Sequence, residues 1–153
     1  MKKFTLIAFM LCIYSTSQAA PNIWQDSFAQ GFSLYSLQNS KNQKLTIACN
    51  TGGVLNVDHS VELSTGSKEY ASFNQQSSFS FIIDGKALEA PNETRTRLNG
   101  NDWDKLISHI GKAKKIDVFI NNKKMAAFIS TNASKAFTKD IVETCASLQF
   151  SDF

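Results

Sequence analysis

Apolar and polar positions along this chain change period several times, and each change predicts an element. Gly31 to Leu37 (GFSLYSL) alternates, with Phe32, Leu34 and Ser36 on one face and Tyr35 and Leu37 on the other. The polar stretch 39–43 (NSKNQ) reads as a turn into a strand over 44–49, where Leu45, Ile47 and Cys49 share a face. Thr51-Gly52-Gly53 breaks that strand. Val61 and Leu63 predict a short strand ending near Gly66. Ser78 to Asp84 (SFSFIID) is the clearest strand, closed by the turn pair Asp84-Gly85. Residues 94–98 read as one more strand, and residues 21–31 as a lead-in with one helical turn around Trp24 and Phe28.

A period near 3.6 then takes over. Trp103, Leu106, Ile107 and Ile110 lie on one helical face, with Asn101 as the expected cap, Asp104 three residues on and Gly111 as the stop. KIDVFIN and KMAAFIS around Asn121-Asn122 predict a hairpin, because Asn tolerates the positive φ of a tight turn. Phe137, Ile141, Cys145 and Leu148 stripe a last helix from about 133 to 148. The order is four or five strands, a helix, a hairpin and a helix. It implies an α+β fold, mainly an antiparallel sheet with two amphipathic helices packed on it. The alternative is a β-sandwich with peripheral helices.

The ends change the picture. Lys2 and Lys3, the apolar run Phe4 to Tyr14, and Ser17-Gln18-Ala19 form the three parts of an export signal, cut after Ala19. A bilayer span needs about 20 apolar residues, well beyond this run. Cys12 sits inside the run and goes with it, so no lipid or other membrane anchor is expected after cleavage. The expected organisation is a signal peptide over 1–19 and a single exported α+β domain over 20–153. Without Lys2 and Lys3 the formal charge falls from +3 to +1. Such a near-neutral chain gives no reason to expect nucleic acid or an anionic membrane as partner. The expected location is the bacterial periplasm or beyond.

Two cysteines then remain, Cys49 and Cys145, each on the inward face of its element. In an oxidising compartment they are most simply one disulfide. Closing a loop of about 97 residues is worth about 4–5 kcal/mol in the chain-entropy model. A redox pair would want the two close in sequence, as in C-x-x-C.

Catalytic patterns are sparse. Asp58-His59-Ser60 cannot form a triad among themselves in an extended segment, because neighbours point to opposite faces. His59 reads as a surface loop residue, and His109 as a structural residue beside the helix stripe. Asp102 and Asp104 read as favourable charges at a helix N-terminus. No ligand-spaced set of His, Cys or carboxylate appears, so neither a metal nor a cofactor is expected. Lysines 112, 114, 115, 123 and 124 read as a solvated helix end and hairpin. The N-x-S/T matches at Asn92 and Asn132 read as chance. In Glu69 to Gln76 (EYASFNQQ), Tyr70 and Phe73 stand in a polar surround, a composition typical of protein-contact patches.

Trp24, LTIAC at 45–49, FIIDG at 81–85, WDKL at 103–106, AAF at 126–128 and a helix ending in Cys145 occur in this order. The set resembles small bacterial periplasmic accessory proteins associated with type VI secretion, which pair a strand cysteine with one in the last helix. This chain departs from them in a shorter N-terminal region without its own cysteine pair. The resemblance implies a non-catalytic periplasmic protein that binds other proteins. The expected function is therefore a protein-binding module of accessory, inhibitor or immunity type, its partner another envelope or secreted protein. The alternatives are a periplasmic hydrolase using His59 or paired acids such as Glu62 and Glu69, or Asp102 and Asp104, in a cleft, and a carrier of a small apolar ligand.

Overall fold

The alternating stretches pair into two antiparallel sheets. The computed structural model describes residues 20–148, so the expected signal segment lies outside the described residues. The first sheet is a meander of five strands in chain order: β1 (Trp24–Ala29), β2 (Phe32–Gln38), β3 (Lys44–Asn50), β4 (Ser60–Ser64) and β5 (Glu69–Ala71). The second contains β6 (Phe79–Ile83), β7 (Lys86–Ala90), β8 (Lys115–Ile120) and β9 (Lys123–Ile129), in the order β7-β6-β8-β9. Helix α1 (Arg97–Ile110) lies between β7 and β8 in the chain, and α2 (Lys135–Thr144) follows β9.

Register decides which side of each strand is buried. In the first sheet Leu37 pairs with Leu45, Leu45 with Leu63, Tyr35 with Ile47 and Ile47 with Val61, which places these side chains on one inward face. Those residues, Phe79, Phe81, Val118 and Phe128 from the second sheet, Trp103 and Ile107 from α1, and Ile141 from α2 belong to one buried cluster. A single core serves both sheets and both helices.

Several local expectations are corrected. The segment taken as a helical lead-in is strand β1, paired with β2 through a turn at Gln30 (φ 53°) and Gly31 (φ 85°). Residues 94–98 do not form a strand, and β7 and the short β5 arise where no strand was expected. Thr94 is held through its N–H by Asp58 Oδ2 at 2.7 Å, and Thr96, not Asn101, caps α1. The helix therefore starts earlier, and Asp102 and Asp104 lie beyond its first turn. Helix α2 is shorter than expected, running from 135 to 144 with Ser134 as its cap and Cys145 just past its end. The two hairpin turns were legible: Asp84-Gly85 and Asn121-Asn122 all have positive φ.

Gly111 ends α1 in the ordinary right-handed conformation, so positive φ is not its reason. Its reason is space. A Cβ there would stand 2.8 Å from Ile141 Cγ2 and 3.1 Å from Thr138 Cα, where α2 crosses the end of α1.

Side-chain amides cover two sheet edges. Asn132 accepts from the Trp24 N–H (2.8 Å) and donates to the Trp24 carbonyl (3.0 Å), much as a sixth strand would. Asn39 donates to Ala127 O (3.0 Å) and Gln43 to Met125 O (3.1 Å) along β9. Such pairing protects backbone groups that would otherwise offer a template for unwanted strands. It also gives Asn132 a defined structural role.

Candidate functional site

The inward side at the end of the chain is a tightly paired polar cluster. Cys49 of β3 is bonded to Cys145, with Cα atoms 5.1 Å apart and a sequence separation of 96. Trp103 Nε1 donates to Cys145 O at 2.7 Å. Asp104 accepts from the Ser147 N–H (2.8 Å) and hydroxyl (2.9 Å), tying α1 to the segment after α2.

His59 lies in this cluster, not on a surface loop, and is only 2 % exposed. The Asn50 N–H donates to its Nδ1 at 2.9 Å, which places the ring proton on Nε2. Nε2 in turn donates to Ala146 O at 2.8 Å, and the ring stacks on Trp103 at 5.5 Å between centroids. Burial pushes the imidazole below its ordinary value near 6.5, outweighing the Ala146 bond and the nearby Asp58 and Asp104. With both nitrogens engaged, this histidine holds strands and chain end together and has no nitrogen left to act as a base on a substrate.

Nearby, Tyr35 donates to Asp140 Oδ2 at 2.7 Å and so joins β2 to α2. Burial, with Asp140 adding to it, pushes the Tyr35 hydroxyl up to about 12. His109 Nε2 accepts from the Lys86 ammonium at 2.9 Å on the outside of α1, while its Nδ1 donates to Lys105 O at 2.7 Å. Among the lysines singled out earlier, Lys124 pairs with Asp117 across the hairpin (3.0 Å) and Lys115 with the same carboxylate along β8 (3.7 Å). Among the described residues, no group of three or more His, Cys, Asp or Glu side chains is placed to hold a metal.

The opposite, outward face of the first sheet is built differently. Cross-strand pairing puts Ala29, Phe32 and Asn50 in one row, Ser27, Leu34, Ala48 and Ser60 in the next, and Gln25, Ser36, Thr46, Glu62 and Ala71 in a third. Helix α2 attaches to the other side through Tyr35 and Cys49, and α1 through Trp103, which stacks on His59. Even so, Thr46, Ala48 and Ser60 are nearly inaccessible, because taller neighbours and two loops rise around them. The result is a concave groove of about 790 Å³ whose walls include Phe32, Leu34, Val57, Glu62, Phe73 and Arg95.

Two polar anchors hold the groove's far wall. Asn50 accepts from the Val54 N–H (2.9 Å) and donates to Val54 O (2.8 Å) and Val57 O (2.9 Å), folding the 51–57 loop over the sheet. Asp58 binds the Thr94 N–H and hydroxyl, and Arg95 donates to Val57 O at 3.0 Å.

The two aromatic residues expected at a contact patch separate here. Tyr70 turns inward and packs against the core, as its pairing with Leu63 requires. Phe73 turns outward and is 61 % exposed, at the boundary between the groove and a second depression lined by Lys44, Glu62 and Glu69. Phe32, Leu34, Val57 and Arg95 were not singled out as site residues from the sequence. A signal for the first two was present: β2 carries apolar residues on both faces, more than a strand with one buried face requires.

The arrangement defines a disulfide-closed domain of two antiparallel sheets and two helices, with one concave sheet face left open. The chain belongs to the YfjT family, which it matches over residues 22–137. It is 29 % identical over 131 residues to the Escherichia coli K12 protein YfjT, covering 84 % of each chain. It is also 27 % identical over 143 residues to YkfB of the same organism, covering 90 % of this chain and 92 % of that one. Both relatives are described as uncharacterised, and neither description names type VI secretion. No solved structure matches the chain.

Proposed function

We propose that this chain is a non-catalytic protein-binding module that works outside the cytoplasm, with the open face of the first sheet as its contact surface. The observation that carries the reading is the composition of that face. It combines an exposed phenylalanine, half-buried Phe32 and Leu34, and a floor of small residues, on a side that neither helix covers. A central apolar patch ringed by charge is how many contact surfaces are composed. Export is supported by the N-terminal signal pattern and by a cysteine pair in bonding position. No helix among the described residues is long and apolar enough to cross a membrane. The domain reads as α+β rather than as a sandwich with peripheral helices, since α1 buries Trp103, Leu106, Ile107 and Ile110 in the common core. Association with type VI secretion is a proposal resting on the resemblance alone.

The test is affinity capture from native periplasm with three baits: the oxidised protein, a Cys49→Ser, Cys145→Ser variant, and Phe73→Ser. One protein recovered stoichiometrically by the oxidised bait and lost with Phe73→Ser supports the reading. Equal recovery by the Phe73→Ser bait rejects this face as the contact surface. Recovery of no protein by any bait rejects the binding module.

A further inference from the structure

We infer that the groove takes an extended, basic segment of a partner protein, one in which a lysine or arginine sits between apolar side chains two positions away on either side. This rests on the reading that the open sheet face is the contact surface and adds the chemistry of what covers it.

Charge is the first ground. The groove and the adjoining depression are lined by Asp58, Glu62, Glu69 and Glu93 against Lys44 and Arg95. Asp58 and Arg95 offset one another, which leaves Glu62, Glu69 and Glu93 against Lys44. The Arg95 guanidinium donates to Val57 O and stands 3.8 Å from Asp58. Glu62 is the opposite case. It sits in the middle of the face, opposite Thr46 on one side and Ala71 on the other. Its carboxylate is exposed and makes no ion pair or hydrogen bond among the described residues. Glu93 accepts from the neutral Asn99 amide at 3.1 Å. A ligand crossing this face therefore meets an excess of carboxylate centred on Glu62, which favours a cation.

Shape is the second ground. Glu62 and Phe73 line both the groove and the adjoining depression, so the two form one track across the sheet. A track open along its length suits a strand better than an enclosed small molecule. In an extended strand every second side chain faces the same way. A basic side chain facing Glu62 then has its apolar neighbours, two residues away, over Phe32 and Leu34 on one side and against Phe73 on the other.

Three peptides test this by titration, followed in amide spectra of the isotope-labelled oxidised protein: Ac-Leu-Thr-Lys-Thr-Leu-NH2 and its counterparts with Gln or Glu at the centre. The expected result is shifts at Ala48, Ser60, Glu62, Ala71 and Phe73, with the lysine peptide bound about fivefold more tightly than the glutamine one. That preference should shrink in about 0.5 M salt and vanish in Glu62→Gln. In Glu62→Lys it should reverse toward the glutamate peptide, which a misfolded variant could not produce. Equal binding of all three peptides to the groove overturns the basic-segment inference and leaves the contact-surface reading standing. No shift on this face with any peptide also overturns the inference, while the Phe73→Ser capture decides the broader reading by itself.

Discussion

The two sides of the five-stranded sheet use their polar groups in opposite ways. On the inward side the polar groups around the chain end are paired: His59 between Asn50 and Ala146, Trp103 on Cys145, Asp104 on Ser147, and Tyr35 on Asp140. The indole N–H of Trp24, at the sheet's edge, is buried without a partner among the described residues. On the outward side Glu62 has none among the described residues, and Phe73 stands in solvent. Buried polar groups are costly unless paired, so the inward cluster is selected by stability. An unpaired carboxylate beside an exposed aromatic brings the fold no such gain. The contrast therefore separates what holds this domain together from what it presents to others.

The contrast can be broken most forcefully at the disulfide. Replacing both Cys49 and Cys145 by serine should lower unfolding stability by about 4–5 kcal/mol, measured by urea denaturation against the oxidised protein. An unchanged midpoint would show that the crosslink does not hold the inward side. Next in size, Gly111→Val should cost about 1–3 kcal/mol, because the new side chain drives against Ile141 and the Thr138 backbone. Tolerance of valine without a stability change would mean that α1 and α2 are not in contact at that point.

A subtler probe is pH. The folded-state pKa of His59 is lowered by burial, so the unfolded chain takes up the proton first. Its contribution is whole above the ordinary value near 6.5 and is lost as pH falls below it toward the lowered folded value. Protonation would also set a second donor at Nδ1 against the Asn50 N–H. Unfolding midpoints at about pH 7.5 and 5.5 should therefore differ more in the wild type than in His59→Gln. Equal differences in the two proteins would remove His59 from the account.

The smallest stability effects belong to the outward side. Phe73→Ser and Glu62→Gln should each change unfolding stability by less than about 0.5 kcal/mol, since neither side chain is buried or bonded. A loss of several kcal/mol at Phe73 would reclassify it as a core residue and collapse the distinction between the faces.

What could be read from the sequence was whatever depends on near neighbours. Alternation located β2, β3, β4 and β6, the 3.6 period located the buried stripe of α1, and Asp-Gly and Asn-Asn located two hairpin turns. The inward orientation of Cys49 and Cys145 was legible for the same reason. Three other features were not. Strand β1 carries one buried residue, Trp24, and exposes the rest, so it lacks a one-sided pattern of its own and exists by pairing with β2. The start of α1 turned on Asp58, which holds Thr94 from 36 residues away. Phe73 was singled out from the sequence, but its separation from Tyr70 was not.

Short-range periodicity and turn chemistry thus set the elements, because φ, ψ and side-chain alternation are decided within a few residues. Tertiary structure decided which side of a two-faced strand such as β2 became core. It also turned His59 inward and left Glu62 and Phe73 out. Those choices depend on where the helices and loops come to rest, and their contacts join residues tens of positions apart.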